Sequence, residues 1–324
     1  MIKSHNLGFP RIGKDRELKK AVESYWKGDI NESQLQDIAR ELRRNHWQLQ
    51  QASGLDLIPV GDFSFYDQVL DMTCTLGAVP ARFNWDGQDI NLDTYFEIAR
   101  GCTPCCGAPV HASEMTKWFD TNYHYIVPEI HQHQSFKLSF TKLFDECQEA
   151  LNLGVPAKPV IIGPLTWLWL AKIKGEPFNK LLLLDKLLTV YEEILNTLQQ
   201  QGVEWVQIDE PILVLDLPAD WQTAFKSSYQ RLQVSGLKCL LTTYFGDLGN
   251  NVNLATQLPV AGLHIDVVRG EHQLHTILSH VSADKTLSLG LVNGRNIWRS
   301  DLDQLLAILQ TTCAKYKNPI WIAP

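Results

Sequence analysis

The second half of the chain alternates short apolar runs with longer amphipathic stretches, and this alternation limits the possible folds more than any other feature. Six apolar runs each end in polar, Gly or Pro residues: 159–163, 204–209, 239–244, 262–267, 287–292 and 319–322. Between them lie segments with helical periodicity: 179–201, 221–233, 273–281 and 301–316. Strands that alternate with helices at this spacing predict βαβ units and a parallel sheet that is buried on both faces.

Two earlier apolar runs, at 5–10 and 55–61, bring the predicted strands to the eight that close a TIM-type barrel. Residues 15–51 between them predict a helical hairpin that breaks near Gly28, and residues 63–154 predict a long insertion after the second strand. We therefore expect an α/β fold, with residues 1–324 forming a single (β/α)8 barrel. The helix that would cover the last strand is expected to be absent. An open doubly wound sheet is the alternative, but it usually has fewer strands and a Gly-rich first turn.

Charge and cysteine content exclude several classes of function. The formal net charge of −7 disfavours nonspecific binding to nucleic acid or to an anionic membrane surface. The N-terminus lacks the apolar core of a signal peptide, and no apolar run approaches the length of a membrane span. Seven cysteines without a regular framework favour a reducing, cytoplasmic location. No nucleic-acid or membrane partner is expected.

Polar residues follow most of the predicted strands, where TIM barrels carry their active sites. Among them are Arg11, Asp266 and Arg295, but the pair Asp209-Glu210 is the strongest candidate for a functional site. Two adjacent carboxylates suit a metal, an amine or general acid–base chemistry, although neighbouring strand residues face opposite sides. The alternative is structural: one carboxylate is held by Arg295 or a similar cation, and the other caps a helix.

Cations cluster where the first predicted helix begins, in the segment from Arg16 to Lys20. Free N–H groups at a helix N-terminus favour anions, so such a cluster suits carboxylates or phosphates. Taken alone, a solvated and salt-bridged helical turn explains it better, and Lys117 is equally ambiguous.

Two segments have spacings reminiscent of metal sites. Cys102, Cys105 and Cys106 include a C-x2-C pair, but no second pair lies at the matching separation, so free thiols are the better interpretation. In the other segment Glu129, His131 and His133 alternate, and a surface loop after Pro128 explains them better than chelation.

Nine segments, taken in order along the chain, resemble the cobalamin-independent methionine synthase family: 7–13, 16–20, 23–26, 59–63, 114–119, 122–125, 163–169, 205–211 and 290–296. That family has two face-to-face (β/α)8 barrels and transfers a methyl group from 5-methyltetrahydropteroyl-triglutamate to homocysteine. A zinc ion in its C-terminal barrel binds the homocysteine thiolate. The resemblance implies a methyltransferase whose N-terminal, folate-side barrel is this chain.

The resemblance also implies roles for individual residues. Folate triglutamate would bind at Arg16, Glu17, Leu18, Lys19 and Lys117, which reverses the solvated interpretation of both cationic segments. The zinc ligands would belong to the other barrel, so this chain would hold no metal and no catalytic residue and would be inactive alone. The remaining hypotheses are a stand-alone folate- or corrinoid-handling barrel with a separate zinc-barrel partner, and an enzyme with its own chemistry at Asp209-Glu210.

Overall fold

The computed structural model describes residues 2–102 and 109–324, and within them eight parallel strands form one curled sheet. The strands are β1 (Ile2–Ser4), β2 (Ile58–Val60), β3 (Ala157–Ile162), β4 (Trp205–Asp209), β5 (Lys238–Thr242), β6 (Gly262–Asp266), β7 (Thr286–Gly290) and β8 (Ile320–Ala323). They pair in chain order, and β8 pairs in turn with β1. The predicted α/β barrel is confirmed, and the open doubly wound alternative is not what forms.

The barrel closes between β1 and β2 through a single parallel bridge, His5 to Leu57. Each of the other seven joints pairs three to five residues. At the closing joint the amides of Asp56 and Leu57 both donate to the Ser4 carbonyl oxygen, at 3.0 and 3.3 Å. The joint between β1 and β2 is therefore the least extensively bonded one in the barrel.

Helices surround the sheet. They are α1 (Glu17–Lys27), α2 (Glu32–Ala52), α3 (Gln68–Thr75), α4 (Leu92–Arg100), α5 (Lys142–Asn152), α6 (Pro164–Leu170), α7 (Leu184–Gln200), α8 (Ala219–Arg231), α9 (Val252–Gln257), α10 (Gln273–His280) and α11 (Leu302–Lys315). In the described ranges β8 is the last element of the chain. No helix there is long and apolar enough to cross a bilayer.

The predicted helical hairpin forms as α1 and α2, and local sequence explains its ends. Gly28 adopts a left-handed φ of 78° and ends α1. Asn31 and Gln34 then form a reciprocal capping box at the start of α2. Both helices bury one apolar face against α4 and the segment before α3, through Leu18, Leu35, Phe65 and Phe96 among others.

Two sequence expectations need correction. The first strand ends at Ser4 rather than spanning 5–10. His5 makes the last bridge, and Asn6 to Pro10 form an irregular segment after it. Proline has no amide hydrogen and glycine disfavours strand interiors, so Gly8 and Pro10 suit this segment better than a strand. The insertion between β2 and β3 also contains the helices α3 to α5 and an antiparallel hairpin of Met115–Lys117 with His124–Ile126, none of which was predicted.

Candidate functional site

Asp209 and Glu210, at the end of β4, serve opposite sides of the sheet. Glu210 is fully buried and accepts hydrogen bonds from the amides of Leu165 and Thr166, at 3.2 and 2.7 Å. It also accepts from the Thr166 hydroxyl at 2.6 Å and from Tyr229 Oη at 3.2 Å. Glu210 thus caps α6, as the structural alternative predicted.

Asp209 faces the barrel interior. Its carboxylate accepts hydrogen bonds from Gln207 Nε2 at 2.8 Å and from Tyr244 Oη at 3.0 Å. Burial raises the pKa of Asp209 to about 6. Arg295 lies instead 3.8 Å from Asp120, so it is not the cation beside Asp209. The cation whose charge favours the Asp209 carboxylate is Lys158. Arg295 lies on the loop after β7, and sequence spacing does not determine the course of that loop.

Below Asp209 the barrel interior is polar. Lys158 is fully buried and donates to the Asn6 carbonyl oxygen at 3.1 Å and to Gln207 Oε1. Burial lowers the pKa of Lys158 to about 7, against the raising effect of the Asp209 carboxylate. Sequence reasoning missed this lysine, because it lies directly before an apolar run and only the register of β3 and β4 brings it next to Gln207.

Two imidazoles extend this polar interior. His5 Nε2 and His264 Nδ1 both contact Ser288 Oγ, at 2.7 and 2.8 Å. Burial lowers the pKa of both histidines, that of His264 to about 3, so both rings are neutral near pH 7.

A cavity of about 550 Å³ opens above these groups at the barrel mouth. Its lining combines charged, polar and apolar residues: Leu7, Gly8, Gln68, Trp118, Asp209, Tyr244, Phe245, His264, Asp266, Val268, Arg269, Val292, Asn293, Gly294, Arg295 and Pro324. We call this space the mouth cavity.

The cationic residues at the start of α1 occupy distinct environments. Arg16 precedes the helix with a left-handed φ of 61°, so helical three-residue spacing does not relate it to Lys19. Glu17 Oε2 accepts from the Asp15 amide at 2.9 Å. Leu18 is buried in the apolar core that α1 and α2 share with α4, whereas Lys19 is exposed and lies 3.7 Å from Glu23.

Lys117 ends the first strand of the hairpin and is exposed. It pairs directly with His124 across the hairpin. Side chains of directly opposed residues share one face of the hairpin, so Lys117 lies on the same face as His124.

A second cavity, of about 370 Å³, lies between α1 and this hairpin, and we call it the hairpin cavity. It is lined by Arg11, Ile12, Leu18, Lys19, Val22, Glu23, Trp26, Phe65, Tyr66, Met115, Asn122, Tyr123 and His124. Of the five residues predicted to bind folate, Leu18 and Lys19 line it, while Arg16, Glu17 and Lys117 do not.

Two residues that line the hairpin cavity, Arg11 and Trp26, carry buried donors that lack acceptors. Arg11 Nε and Trp26 Nε1 are both buried, and neither has a hydrogen-bond partner in the part of the chain that the structure describes. Arg11 otherwise donates to the Tyr66 carbonyl oxygen and stacks 5.6 Å from the Tyr123 ring centroid. Burying an unsatisfied donor costs about 1–3 kcal/mol, so an acceptor from a ligand would stabilise this arrangement. Arg11 stands out in the sequence only by following the first predicted strand.

The segment from Glu129 to His133 does not gather metal ligands. Within residues 2–102 and 109–324, no group of three His, Cys, Asp or Glu side chains could hold a metal ion. Glu129 instead forms a bidentate pair with Arg82, at 2.6 and 2.8 Å. Cys105 and Cys106 lie outside the described residues.

Comparisons with known proteins agree with this fold. The chain is 55% identical to a 5-methyltetrahydropteroyltriglutamate–homocysteine methyltransferase of Coxiella burnetii (strain Dugway) over 324 residues, which cover 100% of this chain and 42% of that protein. The corresponding protein of a second Coxiella burnetii strain is 56% identical with the same coverage. The chain thus spans less than half the length of these curated relatives.

Two solved structures share the fold. A putative vitamin-B12-independent methionine synthase from Listeria monocytogenes has a TM-score of 0.66 at 14% identity, covering 99% of this chain and 89% of that one. A B12-independent methionine synthase from a Shewanella species has a TM-score of 0.66 at 12% identity, covering 91% and 82%. The family model for the N-terminal domain of cobalamin-independent synthase matches residues 3–317. The chain therefore belongs to the cobalamin-independent synthase family and corresponds to its N-terminal domain.

Proposed function

We propose that this chain is the folate-side barrel of a two-barrel methyltransferase, and that its hairpin cavity binds the glutamate tail of 5-methyltetrahydropteroyl-triglutamate. The complete protein transfers the methyl group to homocysteine. The observation that carries the proposal is the pair of buried donors on residues that line that cavity, Arg11 Nε and Trp26 Nε1, which have no acceptor in the described chain. Carboxylate oxygens of the tail would supply the acceptors.

The charges around the hairpin cavity support the same ligand. Lys19 lines it beside Arg11, and Lys117 lies on the hairpin face that carries His124. Arg16 adds a further exposed cation just before α1. Exposed ion pairs contribute only about 0–1 kcal/mol each, so affinity for a tail with several carboxylates comes from several of them acting together.

The chemistry itself belongs to the rest of the protein. The curated relatives are more than twice as long as this chain, and they are named as methyltransferases that act on 5-methyltetrahydropteroyltriglutamate and homocysteine. We assign the zinc ion to their remaining segment, because the described part of this chain offers no cluster for it. Bound there, zinc would deprotonate the homocysteine thiol. We place the complete protein in the cytoplasm, where its cysteines stay reduced.

Binding measurements on the chain test the tail assignment. We expect the triglutamate form of 5-methyltetrahydrofolate to bind more tightly than the monoglutamate form, and the difference to narrow as salt increases. Lys19→Ala and Lys117→Ala should each remove part of that difference. Lys27→Ala is the matched control, because Lys27 is an exposed lysine of α1 that does not line the hairpin cavity.

Two results would contradict the assignment. One is equal affinity for both tail lengths at low salt. The other is a loss of the preference for the longer tail that is as large in Lys27→Ala as in Lys19→Ala. In either case Lys19 would be an ordinary solvated residue.

A further inference from the structure

The mouth cavity is separate from the hairpin cavity, and the proposed tail binding leaves it unused. The two share no lining residue. Its volume of about 550 Å³ lies within the range of sites for small organic molecules.

The floor of the mouth cavity carries acceptors. Asp209 pairs with Thr242 on β5, and Thr242 pairs with His264 on β6, so both side chains stand at one level of the barrel. Each carboxylate oxygen of Asp209 accepts one hydrogen bond from the protein, which leaves each a further lone pair. Asp266 adds a second carboxylate to the lining.

His264 supplies an unpartnered polar atom at this floor. The residue is 1% exposed and lines the cavity, and its Nδ1 is occupied by Ser288. Its Nε2 has no hydrogen-bond partner in the ranges described by the structure. A polar atom of a cavity-lining residue that has no partner is a place where a ligand can gain a hydrogen bond.

The rim of the mouth cavity carries a cation, Arg295, that makes few contacts. Arg269 is committed, because it donates to both carboxylate oxygens of Asp120 at 3.1 and 2.9 Å and to the Phe245 carbonyl oxygen. Arg295 is 52% exposed, and within residues 2–102 and 109–324 its guanidinium approaches only the same Asp120, at 3.8 Å. It is therefore available to an anionic group of a ligand.

The walls between floor and rim are mainly apolar, and Trp118, Phe245, Val268 and Val292 form much of them. An anionic floor, apolar walls and a cationic rim complement a molecule with an ammonium group, an aliphatic body and a carboxylate. We propose that the mouth cavity binds a small aliphatic amino acid as its zwitterion, with the ammonium at Asp209 and His264 and the carboxylate at Arg295.

Calorimetric titration of the chain tests this with four probes of similar size. L-Norleucine and 6-aminohexanoate are zwitterions that differ in the spacing of their charges, while hexanoate lacks the amine and hexylamine lacks the carboxylate. At least one zwitterion should bind with a dissociation constant below about 10 mM, and both single-charge probes should bind at least about tenfold more weakly than it does.

Substitutions connect the binding to the named residues. Arg295→Gln should weaken the zwitterion about tenfold and leave hexylamine unchanged, and its exposed position makes a folding defect unexpected. Asp209→Asn should weaken the zwitterion and hexylamine alike, provided that its melting temperature shows a folded chain. Arg299→Gln is the matched control, because Arg299 lies on the same loop but does not line the cavity.

The proposal is overturned if neither zwitterion binds below about 10 mM, or if hexylamine binds as tightly as the better zwitterion. It is also overturned if Arg295→Gln and Arg299→Gln have equal effects. These outcomes leave the tail assignment standing, because its variants and probes are different.

Discussion

At the scale of single residues, the adjacent carboxylates at the end of β4, Asp209 and Glu210, have different roles. Glu210 accepts three hydrogen bonds from the start of α6 and a fourth from Tyr229 on α8, and it lies so close to Gly163 that a Cβ there would come within 2.1 Å of Glu210 Oε1. Asp209 faces the mouth cavity instead. Strand periodicity could predict that the two carboxylates diverge. It could not identify Gln207 and Tyr244 as the partners of Asp209, because side-chain conformation and loop geometry select them.

Glu210 should give the chain a characteristic pH dependence. Burial raises its pKa to about 7, whereas an unfolded glutamate titrates near about 4.3. Its contribution to stability is therefore full below pH 4 and is lost as the pH rises through 7. In Glu210→Gln this titration is absent, so the stability deficit of the variant should shrink by about 2 kcal/mol between pH 5 and pH 8.

Urea denaturation at several pH values measures this change. Glu204→Gln serves as the control, since Glu204 forms an exposed pair with Lys238. A Glu210→Gln deficit that stays constant, or grows, from pH 5 to pH 8 would show that Glu210 is ionised throughout.

Glu23 offers a residue-level test of the hairpin cavity. It is an acidic lining residue and the ion-pair partner of Lys19. Glu23→Gln should free Lys19 and remove repulsion of an anionic tail, so affinity for triglutamate folate should rise severalfold at low salt. Lower or unchanged affinity in a fluorescence titration would mean that the tail does not approach Lys19.

At the scale of elements, Asp67 connects α3 with the hairpin that forms one wall of the hairpin cavity. Its carboxylate accepts from the amides of Val69 and Leu70, at 2.7 and 2.9 Å, and from the amide of Ile126 at 2.9 Å. One buried side chain thus caps a helix and fixes a strand.

Replacing this carboxylate should cost more than replacing an ordinary helix cap. Asp67→Ala should lower the free energy of unfolding by about 3 kcal/mol, because it leaves three buried amides without an acceptor. It should also speed hydrogen exchange in the hairpin, residues 115–126. Asn91→Ala, which removes only the cap of α4 on Thr94, should cost about 1 kcal/mol and leave the hairpin unchanged. Equal effects in chemical denaturation and exchange would refute a connecting role for Asp67.

Elements with strong local signals could be predicted from sequence, and others could not. The helical hairpin carries its own glycine end and capping box, at Gly28 and Asn31, and its position was predicted correctly. The hairpin around Trp118 has strands of three residues, and Asp67 and the packing of Trp118 hold it in place. Contacts so distant in sequence leave no local pattern.

At the scale of the whole molecule, the mouth cavity and the hairpin cavity are separate, and no metal cluster lies in the described residues. The order of strands and helices was readable from the sequence, because each βαβ unit repeats the same alternation. The tail-binding residues remain a proposal, and their assignment came from resemblance rather than from the pattern. The sequence did not identify Arg11 and Trp26 as binding residues, because their unsatisfied donors are visible only in the folded chain.

The chain alone should not transfer the methyl group. A free thiol has a pKa of about 8.5 and is mostly protonated at pH 7, and the described part of this chain holds no metal-ligand cluster that would lower that pKa. Purified chain should therefore form no methionine above background from the triglutamate folate and homocysteine. Adding the separately produced remaining segment of a longer relative is the positive control. Turnover by the chain in the absence of that segment would refute the division of labour.

The single bridge that closes the barrel also has a consequence for its motions. Because the barrel has seven well-bonded joints and one sparse joint, the opening that breaks the fewest hydrogen bonds is the separation of β1 from β2. Both strands lead into the hairpin cavity: β1 through the segment that carries Arg11, and β2 through the segment that carries Phe65 and Tyr66. A ligand that bridges the hairpin cavity would hold these two strands together. The amide of Leu57 should therefore exchange faster than those of β4 to β7 in the free chain, and its exchange should slow most when triglutamate folate binds.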